Sequence, residues 1–442
     1  MQRILVIFSI LLLLFYCSCM HNPTGSETGN ISGDPQTSPF AVAKSASVTR
    51  ETVDVASSLL SEQAASNNTF AVDMYRQLVA ENENLFFSPY SISAALGMTA
   101  AGGAGTTKQQ IRDVLQVTLE GEDFDRALNG TDHSLMEHAD VTEGITLRVV
   151  NSSWVQSGWE FRISYLDHLS RFYGAGVNLM DFAAEPETCR TVINTWVADQ
   201  TNQKIENLLT EGTITPATVL VLTNAIYFLG DWLYSFDSEY TSATDFTTGN
   251  GSTVSVPQMR YDEPGAKVTM NYSRVGNARA LDFPYKGDRL VMTVILPDRN
   301  EFSAFESSLS REILDELIAA LDSSELQVSL PKFEFTYGTK SIKDALVALG
   351  MTDPFISGKA DFSGIDGSRS LFIANILHKA FIAVDEEGTE AAAATAVIVD
   401  YTSVDPDEAI FVVNRPFIYL IRDKQTGTIL FMGRTIDPTA TE

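Results

Sequence analysis

Five histidines and three cysteines are the residues from which a nucleophile, a general base or a metal centre would have to be built: His21, His133, His138, His168 and His378, with Cys17, Cys19 and Cys189. His133 and His138 stand five apart in a polar stretch, a poor pair for one metal ion. No His-Glu-x-x-His or Gly-x-Ser-x-Gly sequence occurs. Cys189 has no Cys-His arrangement around it and reads as a buried structural thiol. The run Gly102-Gly103-Ala104-Gly105-Thr106-Thr107-Lys108 has the wrong spacing for a loop that cradles phosphate. No catalytic residue, metal or cofactor is therefore expected.

The stretch from Asp385 to Val399 carries a different kind of chemistry. It opens acidic, passes Gly388 and then runs small and apolar. Thr389, Ala391, Ala393, Thr395, Val397 and Val399 fall at alternate positions, and none is charged. That is the period-two pattern of a strand with one buried face. The four successive alanines favour helix over strand. Even so, no proline and no bulky residue near the start bars entry into a sheet. Asp400 to Glu408 is polar, carries Pro406 and reads as exposed loop. Glu386-Glu387-Gly388-Thr389-Glu390-Ala391-Ala392-Ala393-Ala394-Thr395-Ala396 resembles the hinge of an inhibitory serpin. Downstream, Phe411-Val412-Val413-Asn414-Arg415-Pro416-Phe417-Ile418-Tyr419-Leu420-Ile421 is similar to that family's C-terminal signature.

The elements that must position this stretch follow from periodicity. Val53, Leu59, Leu60, Phe70, Val72, Met74, Tyr75 and Leu78 recur at helical spacing. Asn84 to Leu96 gives a short strand-like run, a Ser88-Pro89 helix start and an apolar helix. Leu147 to Val155 alternates into a strand, and a helix carries Asn194-Thr195-Trp196-Val197. Val219 to Phe228 is almost continuously apolar, as suits a strand buried on both faces. Met259–Tyr261, Leu281–Tyr285, Met292–Pro297 and Val328–Phe333 read as strands ending in turns. The Ser88 segment, Asn194 to Val197, Asn224 to Trp232 and Ala360 to Gly364 also resemble serpin segments. The resemblance thus spans roughly residues 48–438, with no internal repeat.

The resemblance implies one α+β serpin domain over residues 48–438, followed by a tail at 439–442. That fold has a large central mixed β-sheet, two further sheets, about eight to nine helices and an exposed reactive-centre loop. The implied activity is suicide inhibition of a serine protease. The protease cuts the loop and forms an acyl-enzyme, and the cut loop then inserts as a new strand into the central sheet. The native sheet is expected to lack that strand until cleavage. Glu386 to Ala394 would be the hinge, with Gly388 a conformationally permissive pivot and Thr389 the first position to be buried. A charged residue at Thr389 would add a desolvation cost to the first step. Counted from Glu386 by family spacing, the cut bond is Thr402–Ser403, with Tyr401–Thr402 the alternative. Ser88, Ser91, Asn224 and His378 would form a hydrogen-bonded shutter under the opening point, and Trp232 would stand at the breach where insertion starts. Thr402 suits elastase-like or subtilisin-like proteases and Tyr401 chymotrypsin-like ones; a cysteine protease is a further target class. A non-inhibitory serpin-fold binding or carrier protein is the alternative.

The chain has 442 residues, 44% hydrophobic and 20% charged, enough for a large core. Its net charge of -27 argues against nucleic acid, an anionic membrane surface or a heparin-like polyanion as partner. One basic residue, Arg3, precedes the short apolar run Ile4–Tyr16, which is signal-peptide anatomy over residues 1–19. Cys19, or alternatively Cys17, resembles a lipoprotein processing site. Residues 20–47 are rich in Ser, Thr, Gly, Pro and Asn and read as a disordered tether. The protein is expected outside the cell, secreted or lipid-anchored to the outer face of the membrane, as a monomer. Cys189 alone remains in the mature body, so no disulfide framework forms there.

Overall fold

In a computed structural model of the chain, residues 31–32, 39–52, 54–389 and 410–441 are described. The first half runs β1 (Ile31–Ser32), β2 (Ala41–Ala43), α1 (Ser57–Leu78), β3 (Leu85–Phe87), α2 (Pro89–Ala101), α3 (Gly105–Val114) and α4 (Asp123–Val141). It continues with β4 (Ile145–Gln156), α5 (Ile163–Tyr173), β5 (Val177–Met180), α6 (Pro186–Gln200) and β6 (Leu220–Asp231). Then come β7 (Asp237–Thr247), β8 (Thr253–Arg260), β9 (Val268–Val275), β10 (Ala278–Pro284), β11 (Leu290–Pro297), α7 (Phe302–Ser308) and α8 (Arg311–Ala319). The last third holds β12 (Asp322–Pro331), β13 (Phe333–Ser341), α9 (Lys343–Ala348), α10 (Ser363–Asp366), β14 (Asn375–Val384) and β15 (Gly388–Thr389). It ends with β16 (Ile410–Val412), β17 (Phe417–Asp423) and β18 (Ile429–Thr435).

The main sheet has eight strands in the order β1-β2-β5-β4-β6-β15-β14-β13, and it is mixed. β4 runs antiparallel to β6, whereas β6 and β14 are parallel. β6 lies at its centre with ten of its twelve residues buried, as its unbroken apolar run requires. The other strands form a single hydrogen-bonded path, β3-β18-β17-β11-β10-β9-β12-β8-β7, with β16 on β12. Two further sheets were expected, and β12 is what joins them. Its first half pairs with β9 and its second half with β8 and β16. Ten α-helices occur among the described residues, above the eight to nine expected, because short pieces such as the four-residue α10 count as helices.

Local chemistry explains how the key elements are placed. Ser88 caps α2, its hydroxyl accepting the Ser91 amide at 3.1 Å, and Pro89 fills the first helical position. α1 and α2 pack against β18, and α2 also reaches β4 and β6, so the helix that starts at the cap sits under the main sheet. A smaller core of Trp154, Phe182, Ile193 and Val197 lies beneath α6.

The expected tether over residues 20–47 needs correcting at its C-terminal end. β2 pairs antiparallel with β5, Ala41 opposite Leu179 and Ala43 opposite Val177, and extends the main sheet. Phe40 packs edge-on against Trp154 at 4.9 Å, and Ser45 donates to Asp167 at 2.5 Å. Polar composition suggested a tether. The short apolar run Phe40–Ala43 outweighs it, because an open sheet edge offers its backbone partners and a buried ring offers Phe40 a contact.

Candidate functional site

The candidate site is the upper end of the seam between β6 and β14. Lower down, these two strands pair directly, from Asn375 opposite Val221 to Ala380 opposite Ile226. Higher up, β15 lies between them. Thr389 pairs with Val384 on one side and Gly230 on the other, and Gly388 pairs with Asp231. The first two residues of the expected hinge that reach the sheet are therefore already strand. The expected gap is filled at its mouth.

A tight turn, Asp385-Glu386-Glu387, folds the chain back from β14 into β15. Asp385 closes it, its Oδ1 accepting the amides of Glu387 at 2.9 Å and Gly388 at 3.2 Å. Burial raises the Asp385 carboxyl above its usual range against the lowering effect of those two amides. Trp232, only 1% exposed, donates Nε1 to the Asp385 carbonyl at 3.0 Å and its amide to the Glu387 carbonyl at 2.8 Å. The Phe236 amide bonds the Glu386 carbonyl at 2.8 Å. The Glu386 carboxylate is gripped from the β12–β13 junction and from β7, by Lys332 Nζ at 2.5 Å and Thr241 Oγ1 at 2.7 Å. Burial alone would raise this carboxyl, but these bonds hold it below the usual range.

Thr389 is 2% exposed, and its hydroxyl lies 2.7 Å from the Tyr285 hydroxyl. The Tyr285 ring stacks on Trp232 at 4.6 Å and 12°. Gly388 was expected as a pivot needing unusual backbone angles, and its backbone is not in the left-handed region. Its requirement is steric. A β-carbon there would overlap the Gly230 carbonyl and come within 2.8 Å of Asp231 Cα.

Further down the seam, the four residues expected at the shutter are brought together. His378 and Asn224 are direct partners across the β14–β6 ladder. The fully buried His378 places Nδ1 at 2.5 Å from Asn224 Oδ1, while its Nε2 accepts the Ser88 amide at 3.4 Å. Those two bonds require the neutral ring with its proton on Nδ1. Asn224 donates onward to Ser91 Oγ and to Asn151 Oδ1, both at 2.6 Å, and Ser88 donates to the Leu430 carbonyl at 2.7 Å. β6, β14, α2, β4 and β18 thus meet in one polar knot inside an apolar core.

Burial lowers the His378 pKa from 6.5 to about 3. Because the folded value is depressed, the unfolded chain takes up the proton first as pH falls. The contribution is complete above pH of about 6.5 and is lost down to pH of about 3, at about 1.4 kcal/mol per pH unit. We expect His378→Gln to flatten the pH dependence of urea unfolding between about pH 6 and 4 by about that slope. An equal slope in both proteins would refute the assignment.

Sequence reasoning did not identify Lys332, Thr241, Tyr285 or Asn151 as parts of this site. Each is an unremarkable residue in a strand or at a strand end, and no local pattern marks it. Glu390, Ala391, Ala392, Ala393, Ala394, Tyr401, Thr402, Ser403, Cys17 and Cys19 lie outside the described residues.

Comparison with known proteins accords with this geometry. The family model described as Serpin (serine protease inhibitor) matches residues 65–438. An uncharacterized serpin-like protein of Methanosarcina acetivorans is 36% identical, the match covering 85% of this chain and 86% of the relative. The leukocyte elastase inhibitor of Bos taurus is also 36% identical, over 86% of this chain and 100% of that protein. Among solved structures, the thermophilic serpin Tengpin in its native state aligns with a TM-score of 0.76 at 28% identity, covering 88% of this chain and 96% of that one. Human thyroxine-binding globulin complexed with thyroxine aligns with a TM-score of 0.75 at 25% identity, over 86% and 100% of the two chains.

Proposed function

This chain belongs to the serpin family, and from that premise we propose that it inhibits a serine protease by inserting its cleaved loop into the main sheet. The observation that carries the reading is the seam itself. β6 and β14 are parallel partners at one end and are parted at the other by Gly388 and Thr389, with Thr389 buried between them. A strand that starts there lengthens only if the pair is unzipped downward, through the His378–Asn224 contact. The residues that would follow Thr389 are Glu390 and then Ala391 to Ala394, and the four alanines carry little bulk between two strands.

The chemistry belongs to the protease. Its serine attacks the Thr402 carbonyl, the Thr402–Ser403 amide breaks, the new amine of Ser403 leaves with the C-terminal fragment, and an ester links Thr402 to the enzyme. Insertion carries the ester away from the loop's original position and distorts the site that would hydrolyse it. Elastase-like, subtilisin-like or chymotrypsin-like proteases are the target class, with a monomeric inhibitor acting outside the cell, either secreted or held by a lipid on Cys19.

The test is a denaturing gel of the protein mixed in turn with elastase, subtilisin and chymotrypsin, with mass spectrometry of the released peptide. The expected result is a complex that survives boiling in detergent and a peptide beginning at Ser403. Loop cleavage without complex for all three, together with no stability gain in the cleaved form, would overturn the proposal in favour of a carrier.

A further inference from the structure

A cluster of arginines stands out in a chain whose net charge is -27. It gathers at the turn after β11. Arg279, the second residue of β10, faces Leu296 across the β10–β11 ladder. Arg415 lies just before β17 and donates Nε to the Pro297 carbonyl at 2.9 Å and Nη1 to Asn414 Oδ1 at 3.2 Å. Arg299 follows the same turn and is exposed. Among the described residues, Asp298 is the carboxylate that ion-pairs within the group. Arg274 holds its Oδ2 at 2.7 Å, and Arg279 reaches its Oδ1 only at 3.7 Å.

Two cationic N–H groups are left over. Arg415 is only 8% exposed, and its Nη2 is out of solvent with no hydrogen-bond partner among the described residues. The same holds for Nε of Arg279. Burial, with the charges of Arg279 and Arg299 adding to it and that of Asp298 only partly opposing them, brings Arg415 down to about 10. A buried donor without a partner is costly, and a buried charge without a counter-charge is more so. A water would satisfy the donors and leave the repulsion in place. An anion satisfies both.

We propose that a small inorganic anion of chloride size binds between Arg415 and Arg279 at the Pro297–Asp298 turn. Both donor atoms are shut off from solvent, and a monatomic anion is the ligand that needs the least room beside them. Its position gives it a mechanical role. Arg279 also donates Nη1 to the Ile410 carbonyl at 3.2 Å, so an anion that fixes this guanidinium also fixes the start of β16.

Thermal unfolding at constant ionic strength, with sodium chloride or bromide replacing sodium gluconate, tests this. The full chain should show a halide-specific rise in Tm that grows with the logarithm of halide concentration above Kd, about 3 °C once the halide exceeds its Kd by about 100-fold. Arg279→Gln should abolish the rise. Crystals soaked in sodium bromide should show anomalous density between the two guanidiniums, a readout that does not depend on the variant folding. No halide-specific rise over gluconate, an undiminished rise in R279Q, or a water at the site in the bromide crystals would each overturn the proposal.

Discussion

Thr389→Arg should turn this protein from an inhibitor into a substrate. The loop should still be cut at the same bond, because residue 389 lies thirteen positions before Thr402 in sequence and outside the attacked amide. What changes is the step after acylation. Thr389 sits 2% exposed between two strands, against the Tyr285 hydroxyl and the Trp232–Tyr285 stack. A guanidinium in that slot would meet the Tyr285 hydroxyl and the Trp232–Tyr285 stack instead of water. Burying it costs several kcal/mol, and each 1.4 kcal/mol or so slows insertion about tenfold. With insertion about a thousandfold slower, hydrolysis of the ester wins. The stoichiometry of inhibition should rise until no detergent-stable complex is seen. Thr389→Val, of similar size and uncharged, should keep the complex. An undiminished yield of complex from the arginine variant would sink the insertion mechanism.

Cleaving the loop of the wild-type protein should raise its melting temperature substantially. Full insertion extends β15 down the seam and lets β6 and β14 each bond a new central strand. At a net contribution on the order of 1 kcal/mol per ladder hydrogen bond, about ten new bonds give roughly 10 kcal/mol. For a chain of this size that corresponds to a rise of about 12 °C. The measurement is calorimetry of intact and cleaved protein in the same buffer. An unchanged melting temperature would mean that the sheet does not accept the strand, and the carrier reading would then stand. Cleaved Thr389→Arg protein should gain much less than cleaved wild type, which ties this result to the first.

Much of the architecture was legible before any coordinates. The apolar run Val219–Phe228 suited a strand buried on both faces, and it became the centre of the main sheet. Ser88-Pro89 marked a helix start because a hydroxyl cap and a missing amide suit that position alone, and α2 begins there. The small residues after Gly388 marked a segment able to enter a sheet. Each of these signals is local, set by side-chain shape or backbone valence within a few residues, and so it survives in a one-dimensional reading.

The grip on the hinge was not legible in that way. Lys332 and Thr241 converge on Glu386 from places far apart in the chain, and nothing in a lysine after a proline or a threonine in a polar strand foretells it. The order β6-β15-β14 places the tail of one hairpin in the mouth of a parallel pair, an arrangement set by the whole sheet. That order gives Gly388 its actual reason, the closeness of the Gly230 carbonyl rather than a pivot angle. It likewise gives His378 its neutral state, through burial, and its tautomer, through the partner it meets across the ladder. The sequence by itself determined which segments could be strands and which one was small enough to become another. The tertiary structure alone decided where that segment waits and what holds it, because hydrogen bonds and burial between distant segments exist only once the chain has brought them together.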